Sequence, residues 1–307
     1  MEKPITTLIV GILFVFVCAS AILLGLHGEN ADGELMWPVV SDDRPPAAMA
    51  YYNPVVLPFP QEHVGKLHAA GLAYEEIAGI ADVYANYKGA YAYVRLPNEI
   101  PTEDALALAR YASIIIGDGI DPNLIVAVMR TEHSARGNGI GDCRYFPENG
   151  AMPVISPMDR RIGDREAKAF MEIVDAINAT RDPRYRMKYS YPVVSCHGTG
   201  TRGGAMGVFQ ILPTAYLQHE KEVRAATEET GFANPYKIIP QFLAATAILR
   251  DIARSHNAAP ESVSVANPDL FRGVAAKYYA GKRWKHHIGD NRYGGIVLAA
   301  AVRIGGM

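Results

Sequence analysis

Asp121-Pro122-Asn123-Leu124-Ile125-Val126-Ala127-Val128-Met129-Arg130-Thr131-Glu132 is the stretch that decides the fold class. Asp121 is a good N-cap, because its carboxylate can take up a free amide of the first turn, and Pro122 suits the first helical position. An unbroken apolar run, Leu124 to Met129, follows before the charges begin. Helical signals on both sides agree. Thr102 opens a helix with Glu103 and Asp104 in its first turn, and Gly117 closes it. Further helices are predicted at Asp164 to Thr180, Pro213 to Thr230, Lys237 to His256, Pro268 to Ala280 and Tyr293 to Ile304, with a looser helical pattern from Gln61 to about Lys88. Strand-like alternation is nearly absent, so the class is all-α.

Within that central helix, Glu132 lies four residues after Val128, three after Met129 and seven after Ile125. Helical spacing therefore sets its carboxylate on the apolar face. Desolvation and the C-terminal end of the helix dipole both push such a carboxyl toward its protonated form, which is what acid catalysis requires. A bland reading stands beside this one: the side chain bends out to solvent, or pairs with Arg130 or Arg136.

Two more stretches invite a chemical reading. Gly203-Gly204-Ala205-Met206-Gly207-Val208-Phe209-Gln210-Ile211-Leu212-Pro213 gathers small residues around one Met and one Gln ahead of a helix. Small side chains let a ligand approach the backbone closely. Met206 could lie against a sugar face and Gln210 could donate to an acetamido carbonyl; an ordinary turn around a core Met is the alternative. Ala275-Ala276-Lys277-Tyr278-Tyr279-Ala280-Gly281-Lys282-Arg283-Trp284 ends a helix with three rings among basic residues. Rings of this kind stack on pyranose faces, and equally fill cores.

Composition sets the outer limits. The chain has 307 residues, 49% of them hydrophobic and 20% charged, which excludes disorder for most of its length. A formal net charge of -2 gives no footprint for a phosphate backbone, so nucleic acid is not an expected partner. Cys18, Cys143 and Cys196 lack zinc-site spacing, His197 is alone, and His286-His287 is a pair in a basic loop; no metal and no cofactor is expected.

From Ile5 to Leu26 the chain runs 22 residues without a charge, enough to cross a hydrocarbon core of about 30 Å. The length favours a retained transmembrane anchor over a cleaved signal segment within residues 1–27. Lys3 precedes the span, which orients the N-terminus inward and exports everything beyond it. Residues 28–60, rich in Pro and Asp, read as an extended linker; 61–101 read as a flanking helical segment, and 102–307 as the main domain.

The three stretches occur in one order, and together they resemble the lytic transglycosylase and goose-type lysozyme superfamily. Thr131-Glu132-His133-Ser134 is similar to its Glu-Ser motif. Gly204 to Gln210 with Pro213 matches its Gly-x-Met-Gly-x-x-Gln motif in full. Lys277-Tyr278-Tyr279-Ala280-Gly281 is similar to its Ala-Tyr-Asn-Ala-Gly motif, and Tyr293 stands where its late tyrosine does. The likeness covers Thr102 to the end, about two thirds of the chain. His133 departs from the usual Ser and Tyr279 from the usual Asn. The 72 positions between Glu132 and Gly204 form an insert longer than in the soluble branch, similar to the membrane-bound type B branch.

The resemblance implies a lysozyme-like helical fold and a substrate, the glycan strands of peptidoglycan, cut between N-acetylmuramic acid and N-acetylglucosamine with 1,6-anhydro ring closure. It makes Glu132 the acid and base, and Ala205, Met206, Gly207, Gln210, Tyr278, Tyr279 and Tyr293 the substrate-binding set. Exported into an oxidising compartment, Cys143 and Cys196 would form a disulfide across the insert; two free thiols are the alternative. Other readings are a hydrolytic muramidase, with Asp142, Glu148 or Asp159 as second carboxylate, and a non-catalytic wall-binding or assembly subunit of an envelope machine.

Overall fold

In a computed structural model, residues 28–29, 35–38, 54–90, 100–134, 164–180, 205–227 and 229–306 are described. The predicted span Ile5–Leu26 and the Cys143–Cys196 pair lie outside them, as do Asp142, Glu148, Asp159 and Gly204. No helix among the described residues is long and apolar enough to cross a membrane.

The chain divides into two compact units, Met1–Gly65 and Lys66–Met307. In the first, where an extended linker is expected, three short strands form an antiparallel sheet: β1 (Gly28–Glu29), β2 (Leu35–Pro38) and β3 (Pro54–Val56). Met36 of β2 stands opposite Gly28 on one side and Val56 on the other. Helix α1 (Gln61–Ala69) begins in this unit and ends in the second.

The second unit is helical throughout its described residues: α2 (Tyr74–Tyr87), α3 (Thr102–Ile115), α4 (Pro122–Ser134), α5 (Asp164–Ala179), α6 (Pro213–Thr227), α7 (Ile238–Ser255), α8 (Pro268–Ala280) and α9 (Tyr293–Gly305). Helix α4 starts as its sequence dictates, with Asp121 Oδ1 accepting the Asn123 backbone amide at 2.8 Å. Its residues Leu124 to Met129 are fully enclosed. Helix α7 is the other deeply buried helix, apolar nearly all round, and packs against α2, α3, α4, α6 and α8. Helix α4 packs chiefly against α9, the last helix in the chain, and also against α3, α7 and α8.

Polar ties fix these helices where packing alone would let them slide. Arg250 of α7 is 8% exposed; it donates to the Ile116 carbonyl at the end of α3 (2.7 Å) and holds Glu222 of α6 with two nitrogens. A buried guanidinium is tolerable only with its donors taken up in this way. Glu166 of α5 accepts both the backbone amide and the hydroxyl of Thr214, in the first turn of α6, where the helix dipole favours an anion.

Candidate active site

Glu132 sits in the last turn of α4, half-buried. Its charge reaches two phenols from other helices, Tyr278 near the end of α8 and Tyr293 at the start of α9. Burial first, and the Glu132 carboxylate second, hold the Tyr278 phenol well above its ordinary value. The same two causes, with a hydrogen bond to Glu132 third, raise Tyr293. Both phenols therefore stay protonated beside the acid. The Tyr293 hydroxyl falls short of full hydrogen-bond geometry. We read the contact as a long, weak bond, since the effect of a neighbouring charge does not depend on the angle.

Tyr278 also joins the acid to the glycine-rich turn. Its ring edge reaches the surface, while its hydroxyl lies deep and donates to the Phe209 carbonyl at 2.8 Å. The turn is a tight hairpin closed by two backbone bonds between Met206 and Ile211, at 2.8 and 3.0 Å. Two of its residues are left-handed: Gly207 (φ +65°), where glycine fits freely, and Gln210 (φ +51°), where a side chain makes that conformation costly. Gly207 meets a second demand: a Cβ there would lie 2.2 Å from Cδ of Gln241. That amide comes from α7 and is fully buried. Its oxygen accepts the Phe209 backbone amide at 3.3 Å, and its nitrogen donates to the Pro235 carbonyl. Phe209 completes the anchorage by packing edge-on against Phe242 of α7, with ring centroids 5.0 Å apart.

Glu132, the turn, Tyr278 and Tyr293 are thus brought together by α4, α8 and α9. Tyr279 joins them from the solvent side: 41% exposed, it stacks on Tyr293 at 4.5 Å with an interplanar angle of 11°. Its outer surface is the kind of face on which a pyranose rests. Ala205 and Met206 are placed differently from the sequence expectation. Both are buried, Met206 completely, so the thioether fills core space and lends no surface to a sugar. The strained backbone needs that packing to stay folded. Gln210 is half-buried and gives its amide nitrogen to the Gly207 carbonyl at 2.7 Å, leaving Oε1 as a buried acceptor with no partner among the described residues. The group it holds out is an acceptor, where a donor is expected from sequence. Trp284, grouped with the tyrosines in the sequence, packs instead on His256, with centroids 4.7 Å apart.

The residue the sequence reading misses is Gln241. A single amide in the run Ile238 to Ala245 is the only signal for it, and that signal does not say what the amide binds. No group of three or more His, Cys, Asp or Glu that could hold a metal exists among the described residues. A cavity of about 690 Å³ lies elsewhere, lined by Tyr84, Thr180, Glu229, Asn234 and Lys237 among others; none of the predicted site residues borders it. Compared with protein-family models, with curated proteins and with solved structures, the chain gives no match.

Proposed function

We propose that this chain is a peptidoglycan lytic transglycosylase with a lysozyme-like helical domain, tethered to the cell membrane through Ile5–Leu26 and working outside the cytoplasm. The observation that carries the reading is the convergence of three sequence-distant stretches on one carboxyl group. Glu132, the Gly207–Gln210 turn and the tyrosines 278 and 293 are linked through the Tyr278 bond to Phe209 and the charge contacts to Glu132.

In this mechanism the Glu132 carboxyl gives its proton to the glycosidic oxygen as the bond to the muramic C1 breaks through an oxocarbenium-like state. The resulting carboxylate then takes the proton of the muramoyl 6-hydroxyl while that oxygen bonds to C1, closing the 1,6-anhydro ring and restoring the acid. One carboxyl serves both steps, so no second carboxylate and no added water are required. The Tyr293 phenol steadies the anionic form between the steps, while Tyr278 ties the turn beside it. Tyr279 supports a sugar ring.

The test is mass analysis of the products from purified peptidoglycan. Anhydro-muropeptides are expected from the native chain, and none from Glu132→Gln, which should still bind glycan. Reducing-end products alone would replace the reading with hydrolysis by a muramidase. Unchanged turnover in Glu132→Gln would remove Glu132 from the chemistry.

A further inference from the structure

Helix α8 stops at Ala280, and the chain tightens into a seven-residue 3₁₀ helix, Gly281–His287, of sequence Gly-Lys-Arg-Trp-Lys-His-His. Such helices rarely exceed three or four residues, so something outside the backbone must hold this one. In a 3₁₀ helix residues three apart share a face. One face here carries Gly281, Trp284 and His287, a second Lys282 and Lys285, and the third Arg283 and His286.

The structure sorts them accordingly. Trp284 turns inward onto His256, and His287 packs edge-on against Tyr279, with centroids 5.2 Å apart. Lys282, Arg283, Lys285 and His286 are exposed. The two inward rings act as staples and fix the other two faces outward. Among the described residues no carboxylate pairs with Lys282, Arg283 or Lys285. The nearest acid in sequence, Asp290, is already taken by Arg272 at 2.6 Å. Lys285 lies over the Trp284 ring, 6.0 Å from its centroid, and the three cations, with no carboxylate among the described residues to offset them, repel one another in a chain whose net charge is -2. Through His287 the segment adjoins Tyr279, and through Tyr279 the stack on Tyr293 beside Glu132.

We infer that this basic collar binds the acidic peptide stems of the glycan strand, holding their carboxylates while the sugars lie along the tyrosine stack. The inference rests on the proposed substrate and adds a subsite to it. Peptide stems are spaced along the strand and carry free carboxylates, so a small cluster of cations beside a ring platform matches them in sign and in place. A nucleic acid would want a longer basic track than these few residues supply.

The experiment compares two soluble probes: glycan strands bearing their peptide stems, and the same strands stripped of peptides by an amidase. Both are titrated against the full chain carrying Glu132→Gln, so that neither is consumed. The expected result is a preference of about tenfold for the peptide-bearing strand, shrinking as salt is raised. Lys282→Glu, Arg283→Glu and Lys285→Glu together should abolish that preference, and the milder Gln substitutions should halve its logarithm. Unchanged helical circular dichroism keeps a misfolded variant from counting. A preference that survives the triple substitution overturns the inference, as does a triple variant that loses only double-stranded DNA binding. If the native chain yields no anhydro product yet shows the preference, the collar stands and the catalytic reading falls; normal turnover without a preference defeats the collar alone.

Discussion

Replacing Gly207 by Ala should damage the glycine-rich turn in two separable ways. The residue sits at φ +65°, where a Cβ costs about 1–2 kcal/mol. That Cβ would also meet the Gln241 amide, 2.2 Å from Cδ and 2.4 Å from both its oxygen and nitrogen. Gln241 is fully buried and bonded at both ends, to Phe209 N and the Pro235 carbonyl, so it cannot retreat without loss. Either the core is overpacked, at about 1–3 kcal/mol, or two buried hydrogen bonds are given up at a similar cost. The sum is roughly 2–5 kcal/mol, equivalent to a drop in Tm of roughly 4–20 °C in a unit of this size. Urea unfolding of Gly207→Ala, Gln241→Ala and the double variant measures it. Truncating Gln241 removes the obstacle, so the double variant should be more stable than the two single losses predict, by at least about 1 kcal/mol. Strict additivity, or a Gly207→Ala variant within about 0.5 kcal/mol of the native chain, would refute the reasoning.

Tyr278→Phe deletes the donor to the buried Phe209 carbonyl and should cost about 1–3 kcal/mol of stability, with a fall in turnover because the turn and Glu132 lose their link. Native Tm together with native turnover would show the link to be idle. His256 predicts a pH dependence. Burial first, and the nearby Lys277 charge second, hold its folded pKa below the ordinary imidazole value of about 6.5, at which the unfolded chain titrates. The unfolded state therefore takes up more protons as pH falls through that window, so stability is full above about pH 6.5 and is lost below it. His219, lowered mainly by burial and partly restored by Asp251, contributes in the same direction. His256→Phe should flatten part of the decline in an acid titration of Tm; an identical slope in that variant would refute the assignment.

Most of the helical framework was legible because its punctuation is local. Asp121-Pro122 starts α4, Pro268 starts α8, and both helices lie where spacing and capping place them. Ends without a cap signal drifted: α6 stops at Thr227, three residues before the expected Thr230. The seven-residue 3₁₀ helix, whose last two residues the sequence places in a basic loop, is not legible, because a three-residue period in so short a stretch leaves no contrast in composition. For the site, helical spacing sets Glu132 on the apolar face of α4, and the structure has it half-buried there with Tyr278 and Tyr293 within reach of its charge. What the sequence could not supply was direction in three dimensions. Met206 and Trp284 look like ligand-facing groups by residue type, yet one fills the core and the other pins a neighbouring segment. Gln241 lies 34 positions from the Gly207 it constrains, beyond the reach of any periodicity argument.

The pairing of α4 with α9 has a bearing on biosynthesis. Glu132 and Tyr293 are 161 positions apart, and the acid-bearing helix rests chiefly on a helix synthesised long after it. A nascent chain that has passed residue 132 but not 293 owns the proton donor without its phenolic neighbour, and α4 still lacks its main support. On the proposed reading, a wall-cutting activity waits until residue 293 has been made and α9 has docked on α4.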